Sequence, residues 1–187
     1  MQFVCYRSII RTMTTKKTQA LKPPRFPQVM VGWVETVALP KLGIEALEAK
    51  IDTGAKTSSL HAEKITPFEK DGEQWVRFIT HPNRKNRKEE LTCEAKVLDK
   101  REITSSNGKT NTRYVILTWV HVGPYRWPID ISLTSRKDMT YRMLFGRSSL
   151  GKACLVSPTF GHLMGKPQLE HCITLQSKRY KLDDTHV

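Results

Sequence analysis

Residues 49–62 read AKIDTGAKTSSLHA, and within them one carboxylate, Asp52, ends an apolar run and is followed at once by Thr53, Gly54 and Ala55. Short neighbours let backbone N–H groups and a water molecule approach such a carboxylate. Glycine next to it admits backbone shapes closed to other residues. A carboxylate held this way could take a proton from water as a general base. The same triplet also suits a plain Asx-turn or the cap of a short helical turn at KTSSL, which is its commoner use. A second element lies about ninety residues on: MLFGRSSL, residues 143–150, places Gly146 and Arg147 directly after an apolar run.

The elements that must carry these residues read as strands. In YRWPIDISL, Tyr125, Trp127, Ile129, Ile131 and Leu133 share one face and Arg126, Pro128, Asp130 and Ser132 the other, the period of two of a strand with one wet side. RYVILTWVHV before it is apolar throughout, and Gly123-Pro124 supply a turn, so residues 113–134 are expected to form a long hairpin. Pro128 lacks an N–H and suits an edge or bulge. Further strands are expected over 31–39, 44–52, 73–81, 90–103, 142–146 and 153–157, with turns at Pro40, Asp71-Gly72, His81-Pro82-Asn83 and Asn107-Gly108. Helix is confined to SRKDMTY and RSSLGK. The pattern predicts an all-β barrel or sandwich.

The 187 residues suit one domain with tails. Residues 1–29 carry six basic side chains, three prolines and no acid, the composition of a disordered arm. A barrel domain is expected over 30–160 and a C-terminal tail over 161–187. Net charge is +13, and the six basic residues of the arm account for only part of it, leaving 25 basic against 18 acidic. That balance points to an anionic partner without naming it. Four scattered cysteines give no disulfide framework, no apolar run reaches the roughly 18 residues needed to span a bilayer, and a reducing, cytoplasmic setting without membrane contact is expected.

Together, KIDTGAKTSSLHA, SSNGKTNTRYVI and MTYRMLFGRSSL resemble retropepsin-type aspartic peptidases. Over residues 31–160 they are most similar to the RimB-like bacterial family, also labelled "ATP-dependent zinc protease". The resemblance implies a retropepsin-like closed or partly open β-barrel with one or two short helices, in which Asp52 activates water and Thr53 and Gly54 shape its loop. It implies an acidic, glutamate-rich or polyglutamylated peptide as substrate. Lys56, Arg113, Arg142 and Arg147 are then the candidate substrate-binding cations.

Aspartic peptidases share one proton between two carboxylates. With a single Asp-Thr-Gly, the usual mechanism requires a homodimer contributing Asp52 twice; Asp130 and Asp138 are the other acids considered for that place. Lys56 departs from the retropepsin pattern, which usually has an acid there. SSNGKTNTR is expected to be either a flap over the site, as in aspartic peptidases, or a plain turn.

The label's two cofactors find no support in the residues. The glycine a phosphate loop needs five places before Gly108 is Ile103, and no His-Glu-x-x-His or Cys-x-x-Cys occurs. No cofactor and no metal are therefore expected. The rival reading is a non-catalytic basic barrel binding RNA or the ribosome, with Arg84, Lys85, Arg87, Lys88 and exposed tryptophans on one face.

Overall fold

The computed structural model describes residues 29–83, 86, 89–104, 108, 110–151 and 154–175. Within them the chain is almost entirely strand: β1 (Val29–Val31), β2 (Val34–Leu39), β3 (Ile44–Asp52), β4 (Ser58–His61), β5 (Glu63–Lys70), β6 (Glu73–Thr80), β7 (Leu91–Thr104), β8 (Thr110–Val122), β9 (Tyr125–Thr134), β10 (Met143–Gly146), β11 (Cys154–Val156) and β12 (Ile173–Thr174). Helix is limited to a 3-10 turn at Pro40–Leu42 and one α-helical turn, α1, at Arg147–Leu150. SRKDMTY, expected to be helical, is an irregular connection.

Six strands close into a barrel in the order β2-β3-β10-β4-β9-β8, with β8 pairing to both β9 and β2. Closure removes the exposed edges that an open sheet would present. Leu39, Ile44, Leu60, Ile116, Ile131 and Phe145 fill the centre and are fully or almost fully buried. β5, β6 and the first half of β7 extend the sheet as a meander beyond the barrel.

The order places β10 between β3 and β4, although β3 and β4 follow one another in the chain. β10 runs parallel to β3, with Gly146 beside Asp52, and antiparallel to β4. The loop 53–57 must therefore arch over the end of β10. This arch makes room for the site.

Four expectations change on this frame. The strand expected over 31–39 breaks at Gly32, where a Cβ would lie 2.5 Å from the Phe160 carbonyl oxygen, and the chain leaves a small β1–β11 sheet to enter the barrel. The wet face expected for 125–133 is covered. Asp130 and Ser132 are each 1% exposed because Arg101 reaches the first and the second donates to the Ser58 carbonyl. β4 was hidden by its hydroxyl residues, which read as a cap, and β5 by Pro67 and its charges. Pro128 sits where one side of β9 passes from β12, paired at Tyr125 and Arg126, to β4, paired from Ile131 onward, so its missing N–H breaks no ladder bond.

Residues 157–175 return across the barrel. Their anchor is Glu35, a fully buried carboxylate that accepts N–H bonds from Gly32 (2.6 Å), Leu163 (3.0 Å) and Met164 (3.3 Å). A buried charge is tolerated only when so supplied. Glu35→Gln keeps the shape but sets an amide N–H₂ against one of these donors. The expected loss is about 2 kcal/mol, a fall in Tm of roughly 4–8 °C by calorimetry.

Candidate active site

Asp52 ends β3 half-buried, and its Oδ1 accepts from the N–H groups of Gly54 (2.9 Å) and Ala55 (3.1 Å). The Asx-turn is therefore present. It occupies one oxygen only, for Oδ2 makes no hydrogen bond among the described residues. A Cβ at position 54 would lie 3.2 Å from Oδ1, so glycine lets the loop close this tightly.

The arch is fastened to α1. Arg147 N–H donates to Ala55 O (2.9 Å), Ser148 N–H to Lys56 O (3.1 Å), and the Ser148 hydroxyl to the same oxygen (2.6 Å). Beneath them, Ser58 Oγ accepts from Gly146 N–H (2.9 Å) and pairs with Ser149 Oγ (2.7 Å). These bonds fix the carboxylate through rigid strands, which position groups better than free loops do.

Asp52 lines a groove of about 1060 Å³, bounded on one side by the arch and on the other by the arms of the β7–β8 hairpin, which contribute Arg101, Glu102, Ile103, Thr104 and Arg113. The arms stand where the flap was expected. Its tip, apart from Gly108, and the arginine-lysine loop at 84–88, apart from Asn86, lie outside the described residues. Met139 and Leu144 give the groove apolar surface.

The expected site residues separate into two groups. Asp52, Gly54, Lys56 and Arg113 line the groove. Thr53 and Arg147 are exposed beside it, where the Arg147 guanidinium donates to the carbonyls of Thr53 (3.3 Å) and Gly54 (3.5 Å). Arg142 is elsewhere: it is 6% exposed and donates to the Arg136 carbonyl at 2.9 Å, so it braces the lining from behind.

Arg136 itself escaped the sequence reading. It lies in the irregular segment after β9, and only the β4–β9 pairing, which no local pattern reveals, brings it into the groove. Its Nη1 donates to Ser59 Oγ and its Nε to Tyr141 O, both at 3.2 Å. Burial and the neighbouring Arg113 lower its pKa, while Asp52 supports its charge.

Of the other acids, Asp130 and Asp99 are both ion-paired to Arg101, at 2.6 and 2.9 Å. Asp138 does not line the groove. Two tryptophans of the proposed nucleic-acid platform, Trp119 and Trp127, are buried at 5% exposure, and the second donates to Ser149 O. They serve packing.

His61, Glu63 and His81 bring one ligand atom each within 4.8 Å of one another, the grouping best suited to test the zinc label. His61 Nδ1 accepts the backbone N–H of Arg136 at 3.0 Å, so in the neutral ring Nε2 carries the proton and has no lone pair to offer. Only Glu63 and His81 remain as ready donors. Zinc sites use three or four, so the residues do not fit the metal.

The burial of His61 shapes acid stability. Burial, followed by Arg142, lowers the His61 pKa to about 4 from 6.5. The unfolded chain therefore binds the proton first. His61 stabilises the fold fully above pH 6.5, and this contribution falls away as pH drops from 6.5 toward 4, by at most about 3 kcal/mol. Urea titrations of His61→Asn, which keeps an acceptor without a titrating ring, should show a flatter pH dependence in that window.

Among the described residues no helix is long and apolar enough to cross a membrane. The chain is 44% identical over 137 residues to "Probable alpha-L-glutamate ligase" of Shewanella halifaxensis, covering 73% of this chain and 30% of that protein. It is 41% identical over 138 residues to the protein of the same name from Parasynechococcus marenigrum, covering 74% and 30%. It thus spans about 30% of the length of these relatives. A crystal structure of a Legionella pneumophila protein of unknown function matches with a TM-score of 0.62 at 30% identity, over 73% of this chain and 98% of that one. The barrel, the arched Asp-Thr-Gly loop and the family model matched by residues 30–167, RimB-like, "Retropepsin-like aspartic endopeptidase RimB", agree, and the chain belongs to that family.

Proposed function

We propose that the protein is an aspartic-type peptidase that cleaves acidic, glutamate-rich peptides, with Asp52 drawing a proton from the attacking water. The observation that carries this reading is the carboxylate itself: one oxygen tied into the arch, the other without a partner among the described residues, in a groove of about 1060 Å³ lined by Lys56, Arg101, Arg113 and Arg136. Lys56, Arg113 and Arg136 supply charge complementary to the substrate, Arg147 holds the loop, and Arg142 supports Arg136. No second carboxylate of the same chain is offered to Asp52 by the ion-paired Asp99 and Asp130. A second copy of the chain would supply it, completing a dyad in which one carboxyl acts as base and the other as acid.

The name of the relatives supports the substrate class. A glutamate ligase makes acidic chains, and a hydrolase specific for them would act on the same polymer.

Mass spectrometry of glutamate-rich peptides incubated with purified protein tests the proposal. Cleavage that survives a chelator and rises with the dimer fraction in sedimentation is the expected result. Intact peptide at every enzyme concentration would overturn it, and activity lost with the chelator and restored by zinc would overturn the aspartic assignment.

A further inference from the structure

The groove contains more positive charge than the protein neutralises. Arg101 is ion-paired with Asp99 and Asp130, and Glu102 stands exposed on the same lining. Directly opposite it across the β7–β8 ladder stands Arg113, whose side chain makes no hydrogen bond or ion pair among the described residues and whose Nε is buried without a partner among them. A buried donor left unmet is costly, so a water, an ion or a ligand has to meet it, and here the groove gives a ligand access.

Arg136 shows the complementary design. Its backbone N–H is held by His61, its carbonyl by Arg142, its Nε by the Tyr141 carbonyl and its Nη1 by Ser59, while Nη2 has no partner among the described residues. It is a fixed guanidinium with one unspent edge. The two groups are close enough for Arg113 to weaken the charge on Arg136, and burial acts on both in the same direction. Asp52 is within electrostatic reach but makes no ion pair with Arg136. Two desolvated like charges without an intervening anion are unfavourable, and a planar carboxylate between two guanidinium forks relieves both.

We infer that Arg113 and Arg136 form a carboxylate-binding subsite beside Asp52, which holds the acidic side chain of the substrate residue next to the bond that is cut. This rests on the peptidase reading and gives it a specificity pocket. Lys56, exposed on the arch, supplies general attraction rather than this recognition. The ligand is a glutamate or aspartate side chain of a peptide.

The experiment uses two peptides identical except for Glu or Gln at the residue flanking the cleaved bond. The wild-type protein is expected to favour the Glu peptide about 10- to 100-fold in kcat/KM, the value of one or two charge-assisted bonds. In Arg113→Gln and in Arg136→Gln the ratio should fall toward one. The Arg113 side chain makes no bond among the described residues, so its replacement is expected to leave folding intact and keeps the test sound even if Arg136→Gln loosens Ser59 and Tyr141.

A second readout is anisotropy of the labelled peptides with Asp52→Asn protein, which needs no turnover. Tighter binding of the Glu peptide, lost when Arg113→Gln is added, supports the subsite even if wild type cleaves neither peptide and the peptidase reading fails. Cleavage of both peptides at equal rates, or a Glu preference that survives both arginine substitutions, overturns the subsite while leaving the peptidase reading in place.

Discussion

Asp52→Asn is expected to reduce kcat on a glutamate-rich peptide by about 10³-fold, roughly 4 kcal/mol in the barrier, with little change in Tm. The asymmetry comes from the two oxygens. Asparagine retains a carbonyl oxygen where Oδ1 accepts from Gly54 and Ala55, so the arch keeps its bonds. Its N–H₂ replaces the oxygen with no protein partner, and an amide cannot take a proton from water. Asp52→Ala separates the two roles in the other direction. It frees two backbone N–H groups as well as removing the base, and its Tm should fall where that of Asp52→Asn does not. Product formation followed by mass spectrometry, alongside calorimetry of both variants, gives the answer. A native rate for Asp52→Asn would remove Asp52 from the chemistry.

What the sequence made legible was local. Alternation over Tyr125–Leu133 identified β9, the apolar run 113–122 identified β8, and Ile51 followed by Asp-Thr-Gly identified a strand ending in a turn; each depends on neighbours within a few residues. What stayed hidden depends on pairing between distant segments. Ser58–His61 is buried at every position because β9 and β10 flank it, and nothing in SSLH announces those neighbours. Asp130 looked solvent-facing because its partner, Arg101, arrives from another strand.

The site divided in the same way. Asp52, Gly54 and Lys56 are adjacent in sequence and were found together. Arg142 was expected in the groove and Arg136 was not: Arg142 sits beside the recognisable MLFG run yet is buried as a brace, whereas Arg136 lies in a segment with no period and reaches the groove. A guanidinium on a long side chain can serve either end of its reach, and its burial and partners decide which.

Gly146→Ala should cost both stability and activity. The backbone at 146 is ordinary extended chain (φ −78°), so conformational freedom is not the reason. The reason is approach. A Cβ there would lie 2.6 Å from the Thr57 carbonyl carbon, 2.8 Å from its oxygen and 2.9 Å from the Ser58 nitrogen. All three are backbone atoms at the foot of the arch, and no rotamer change can relieve them. β4 would have to move away from β10, stretching the Gly146–Ser58 bond and the Ser58–Ser149 pair that lie between them. Overpacking of this kind costs about 3 kcal/mol, a Tm lower by roughly 6–12 °C. Because Gly146 stands beside Asp52 in the parallel pair, a displacement approaching 1 Å there also misplaces the carboxylate, for which about 10²-fold in kcat/KM is expected. A variant with native Tm and native kcat/KM would mean that the arch yields without disturbing the carboxylate, and the positioning of Asp52 by β10 would have to be abandoned.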